Sequence, residues 1–164
     1  MHKKTAYLGL LTALAMILGY VETLLPIFVT VPGVKLGLAN LAVVFVLYQY
    51  TWKEAFFVSV VRIFAIGFLF GNLFSIAYSL AGALVSLLVM TLLKRFGSLS
   101  LVGVSTVGGV MHNMGQLLMA MLIVENLSLV YYLTVLLAAG TVTGFGIGFL
   151  VEEVRKRLPS FGTL

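Results

Sequence analysis

Ala55-Phe56-Phe57-Val58-Ser59-Val60-Val61-Arg62-Ile63-Phe64-Ala65-Ile66-Gly67-Phe68-Leu69-Phe70-Gly71 is an apolar run with one charge at its middle. A charge at the centre of a membrane helix costs about 2.5–3.5 kcal/mol even on lenient insertion scales, and such a residue normally faces a bundle interior or a watery cavity. The run therefore reads as one helix of a membrane bundle whose interior holds a partner for Arg62.

The rest of the chain agrees. Of its 164 residues, 62% are hydrophobic and 9% are charged, with a mean hydropathy of +1.18. A soluble domain carries roughly 25% charged residues, so most of this surface must face lipid. Each crossing takes about 20 residues, which suits a single integral membrane domain, 1–164, of six helices. The spans read as Ala6–Leu25, Leu36–Tyr50, Ala55–Gly71, Leu73–Leu93, Leu101–Val124 and Leu129–Val151. The second and third are short for straight crossings. Between the first two lies Pro26-Ile27-Phe28-Val29-Thr30-Val31-Pro32-Gly33-Val34-Lys35, whose prolines stop a helix and whose β-branched residues favour extended chain. The basic start, Met1-His2-Lys3-Lys4, leads into a long segment with Glu22 and no clear cleavage site, and reads as a retained first helix. Glu152–Arg157 continues the last helix, and Pro159 is expected to end it.

Charge placement sets the expected orientation. Six spans put both termini on one side, together with Lys3, Lys4, Lys53, Lys94, Arg95, Arg155, Lys156 and Arg157, which are eight of the ten basic residues. The other side receives Lys35. This asymmetry predicts cytoplasmic termini in a multi-pass protein of the cell membrane. Basic residues gathered in short loops are orientation signals and do not point to nucleic acid. The absence of cysteine excludes disulfides and thiolate metal sites, and no metal or other cofactor is expected.

Small residues recur at four-residue spacing, which places them on one helix face where backbones approach closely. Gly140, Gly144 and Gly148 in the last span read as internal packing. Gly9 and Ala13 in the first read equally as internal packing or as contact with a separate membrane subunit.

The polar residues gather toward the outer half of the bundle. Glu22 lies near the outer end of the first span, and Asn40 sits roughly 7.5 Å inward of Lys35 at about 1.5 Å per residue. Arg62 is near mid-depth, Asn72 marks the outer turn, and His112, Asn113 and Gln116 share a face of the fifth span. Each has a structural reading beside a functional one. Glu22 and Arg62 can form an ion pair; Asn40, Asn113 and Gln116 can be interhelical hydrogen bonds; His112 can be a packed histidine; Lys35 can be a solvated loop charge. As a group they suit a small polar or anionic ligand, with Arg62 and Lys35 meeting its charge and the amides orienting it. The candidate substrate-binding residues are thus Glu22, Lys35, Asn40, Arg62, Asn72, His112, Asn113 and Gln116.

Nothing points to an enzyme. There is no phosphate loop with a lysine, no Ser-His-acid arrangement, and no aspartate with which to build a magnesium-binding cluster.

Leu14-Ala15-Met16-Ile17-Leu18-Gly19-Tyr20-Val21-Glu22, Pro32-Gly33-Val34-Lys35-Leu36-Gly37-Leu38-Ala39-Asn40 and Gly108-Gly109-Val110-Met111-His112-Asn113-Met114-Gly115-Gln116 resemble the Gx transporter family. That family is also labelled heptaprenyl diphosphate synthase component I. It is similar to the S components of energy-coupling factor (ECF) transporters, which implies six helices, cytoplasmic termini and an outward-facing pocket. It also implies a transmembrane coupling subunit, contacted here through Gly9 and Ala13, and cytoplasmic ATPases. The leading expectation is a substrate-binding membrane subunit, embedded in lipid, for uptake of a small molecule. A membrane component of a quinone- or flavin-linked electron-transfer assembly is the alternative, and a prenyl diphosphate synthase subunit is a third.

Overall fold

The computed structural model describes residues 2–24, 37–97 and 99–157. The expected Pro26–Lys35 connection, Lys35 itself and the stop at Pro159 lie outside these. The described residues form helices: α1 (His2–Leu24), α2 (Leu38–Gln49), α3 (Trp52–Phe70), α4 (Leu73–Phe96), α5 (Leu101–Val124), a 3-10 helix (Leu127–Tyr132) and α6 (Leu133–Arg157). Four stretches are long and apolar enough to cross a membrane: Lys4–Leu24, Leu73–Phe96, Leu101–Val124 and Leu127–Arg157. This marks a membrane protein. α2 is a shorter apolar helix, and α3 carries Lys53, Glu54 and Arg62 within its 19 residues.

Local chemistry fixes most of the helix ends. Thr51 caps α3 by accepting from the Lys53 N–H at 3.2 Å, and Glu54 reaches back to the Thr51 N–H at 3.1 Å. This reciprocal capping box starts α3 at Trp52, one turn before the apolar run at Ala55. Asn72 caps α4 through Ser75, and Ser100 caps α5 through Gly103. Gly97 ends α4 at φ 63°, in the left-handed region that glycine adopts without strain. Leu129–Tyr132, expected as the start of the last α-helix, belongs to the 3-10 helix, whose first N–H groups are engaged by Asn126 through Ser128.

α2 is the hub. Ala42, Val43, Val44, Phe45, Val46 and Leu47 are all buried in succession, so every face of the helix is covered. A helix that is apolar all round belongs in a core, which accounts for its lack of a polar face. Its partners are Ala15 of α1, Ala55 and Val58 of α3, Leu87 and Met90 of α4, Leu101 and Val104 of α5, and Ile147 and Val151 of α6.

α5 packs most extensively against α6 and α4. A Cβ on Gly140 would lie 2.8 Å from the Gly109 carbonyl oxygen, one on Gly144 2.7 Å from that of Ser105, and one on Gly148 2.8 Å from the Val102 Cα. The glycine face of α6 is therefore in backbone contact with α5. Gly9, by contrast, meets nothing within 4 Å, and both Gly9 and Ala13 are exposed on α1.

One end of the bundle is basic. Lys4 pairs with Glu54 at 2.6 Å, Lys94 donates to the Leu47 carbonyl at 2.5 Å, and Lys94 and Arg155 lie 5.0 and 5.4 Å from the Tyr48 ring centre. The Lys4 ammonium, and then the Thr51 hydroxyl, hold the Glu54 carboxyl down at about 2. A depressed carboxylate contributes stability above its ordinary pKa, and that contribution is lost as pH falls through the folded value. The thermal stability of the wild type should therefore fall modestly as pH is lowered from about 4.5 to 2. Glu54→Gln should lack that component, and an unchanged acid profile would show the pair to be inert.

Candidate functional site

A cavity of about 130 Å³ runs through the bundle between α1, α2, α3, α4, α5 and α6. On α4 its lining extends from Ser75 to Met90, about 22 Å of helix at 1.5 Å per residue. Its exposed lining residues, Thr23, Phe70 and Gly71, lie at the end opposite the basic cluster. Phe70 pairs there with Tyr20, ring centres 4.5 Å apart.

Glu22, Asn40, Arg62, His112, Asn113 and Gln116 all line this cavity. They come from four helices: α1, α2, α3 and α5. Asn72 is not among the lining residues. It is exposed, and its side chain is occupied as the cap of α4, accepting from the Ser75 N–H at 2.8 Å. Lys35 falls outside the described residues.

Arg62 is 8% exposed and donates through Nη2 to the Asn40 Oδ1 at 2.5 Å. Its Nε–H is buried without a hydrogen-bond acceptor among the described residues. Glu22 accepts the N–H of Gly37, and the Gly37 carbonyl accepts the Asn40 N–H at 2.8 Å. The two charges are thus joined through the first turn of α2: Glu22 to Gly37, Gly37 to Asn40, Asn40 to Arg62. Gly37 is required at this junction, since it turns the chain into α2 at φ 70° while offering its N–H to Glu22.

The three amides differ in how they are used. Asn40 accepts from Arg62, and Asn113 donates to the Leu136 carbonyl of α6 at 2.7 Å. The Gln116 amide, in a residue 2% exposed, makes no hydrogen bond among the described residues. His112 is half-buried one turn away, with its ring beside Gly82 of α4.

Sequence reasoning did not single out Ser86 and Ser105, which share the lining. Ser86 donates to the Gly108 carbonyl and Ser105 to the Gly144 carbonyl, both at 2.8 Å. Both residues are buried, and both bind helix to helix at the cavity wall. The available signal was a serine inside an apolar helix facing a glycine-rich neighbour. Val44, Met90 and Ile147 add an apolar portion.

Among the described residues the arrangement gives a cavity lined by a guanidinium, a carboxylate, amides and hydroxyls within a bundle of apolar helices. It can orient a small polar molecule by hydrogen bonds strengthened by low dielectric surroundings. Comparison with known families matches residues 11–154 to a family model described as heptaprenyl diphosphate synthase component I. Comparison with curated proteins and with solved structures gives no match.

Proposed function

The chain belongs to the heptaprenyl diphosphate synthase component I family, and from that premise we propose that it is the substrate-binding S component of an ECF-type uptake transporter for a small polar or anionic molecule. The observation that carries this reading is the cavity, a polar binding site inside a bundle of apolar helices, with the buried Arg62 guanidinium in its lining. On this reading all six helices cross the cell membrane, both termini and the basic end lie in the cytoplasm, and the Thr23–Phe70–Gly71 mouth faces outward. Ligand enters from outside and is held by Arg62 and the amides. ATP is hydrolysed by separate cytoplasmic subunits acting through a shared transmembrane coupling subunit.

The open face of α1 supports the partner. Gly9 has room around it, Ala13 is exposed, and small residues at that spacing let another helix approach closely. Affinity purification of the full chain from its native membrane should recover a coupling subunit and ATPases. Gly9→Leu with Ala13→Leu should reduce that recovery roughly tenfold, the loss expected when about 1.4 kcal/mol of association is removed. Ligand binding should be unchanged. Recovery of a flavoprotein in their place would favour an electron-transfer assembly.

The family's description also names a synthase component. That reading predicts that the protein alters prenyl-chain synthesis by a soluble partner enzyme, which an in vitro chain-length assay with and without this protein decides.

A further inference from the structure

Gln116 is the one buried amide of the cavity that the described protein leaves unused. Asn113, one turn earlier on the same helix face, is spent on the α6 backbone, and Asn40 is spent on Arg62. Its amide is therefore the one on this wall that an entering group can bond without breaking a hydrogen bond within the described protein.

The position of Gln116 is held. α4 carries Gly82 opposite it, and a Cβ there would lie 2.6 Å from the Gln116 Cγ and 2.8 Å from the His112 carbonyl. Gly82 thereby lets α5 approach with the Gln116 stem packed against α4, leaving the amide head to the cavity. A carboxamide presents one acceptor oxygen and a two-proton donor side by side. Its complement is an edge that also carries a donor beside an acceptor, and neither a carboxylate nor an ammonium has both.

Resting on the transport reading above, we propose that Gln116 is the specificity residue of this site and that it selects ligands bearing an uncharged amide-type edge, a carboxamide or lactam. The ligand's anionic or strongly accepting group, if it has one, is met separately by Arg62. Recognition is thus divided between two positions on different helices, α3 for charge and α5 for the donor–acceptor pair.

The test uses the detergent-purified full chain, with benzamide, benzoate and benzamidine as probes in calorimetric titrations. Benzamide should lose at least tenfold in affinity in Gln116→Leu, while benzoate changes less than threefold. Gln116→Glu should gain benzamidine binding by at least tenfold, because a carboxylate accepts both amidinium donors. Arg62→Ala should show the converse, losing benzoate and keeping benzamide. The proposal is overturned if the wild type binds no benzamide, if benzamide and benzoate fall together in Gln116→Leu, or if folded Gln116→Glu gains no benzamidine. Failure of both Gln116 variants to fold makes the residue structural and also overturns it. Recovery of ATPase and coupling subunits is read separately, so a transporter with a different ligand class remains distinguishable from a protein that is no transporter.

Discussion

Arg62→Ala is expected to lose binding of an anionic probe such as benzoate at least 30-fold while the protein still accumulates in the membrane. Removing one partner of a buried charged hydrogen bond costs about 2–5 kcal/mol, and each 1.4 kcal/mol is a factor of ten in affinity. The guanidinium is buried and holds Asn40 through Nη2, with Nε–H left over among the described residues. Truncation therefore removes the cavity's cation and releases the Asn40 side chain in the same step. The competing outcome is structural. Glu22 is connected to Arg62 through Gly37 and Asn40, so the alanine variant leaves a carboxylate near the cavity with its balancing charge gone. If that imbalance dominates, Arg62→Ala fails to fold and Glu22→Gln restores it. The double variant separates the two. Under the binding role, Arg62→Ala with Glu22→Gln is folded and still does not bind benzoate, whereas recovery of both folding and benzoate binding would reduce Arg62 to half of an ion pair.

The sequence was most readable where a single physical rule decided the outcome. Arg62 in an apolar run demanded a buried polar environment, and the chain supplies one. α5 runs over Leu101–Val124 as expected, since Ser100 gives it a cap and its apolar run ends at Glu125. Where one residue type serves two purposes, reading was harder. Asn72 had the composition of a ligand contact, yet the Asn72-x-x-Ser75 spacing is also that of a helix cap, and the cap is what forms. The Thr51–Glu54 capping box was present in the letters, but the apolar run drew the start of α3 to Ala55. α2 looked like a weak crossing because it is short; its contacts make it the covered centre of the core. Ser86 and Ser105 carry no signal of depth in sequence, because a serine in an apolar helix can equally bond its own backbone or a neighbour's.

Gly144→Leu should destabilise the protein more than any other cavity substitution except a folding failure at Arg62. A Cβ at Gly144 would lie 2.7 Å from the Ser105 carbonyl oxygen and 2.9 Å from the Thr106 Cα. These are backbone atoms of α5, with no rotamer through which to yield. The helices must separate, and separation also breaks the Ser105–Gly144 hydrogen bond and opens the cavity wall that both residues line. Overpacking of this kind costs about 3 kcal/mol at the upper end of the usual range, which lowers Tm by roughly 6–12 °C in a domain of this size. Gly146→Leu is the control on the same helix, because a Cβ there meets nothing within 4 Å. Its Tm should stay within about a degree or two of wild type, as surface changes away from packed features move stability by under ~0.5 kcal/mol. Equal losses at Gly144 and Gly146 would mean that α6 resists any added bulk, and that the α5–α6 glycine contact is not what holds the wall. Loss at Gly144 alone places the α5–α6 backbone contact as the element that holds this wall of the cavity.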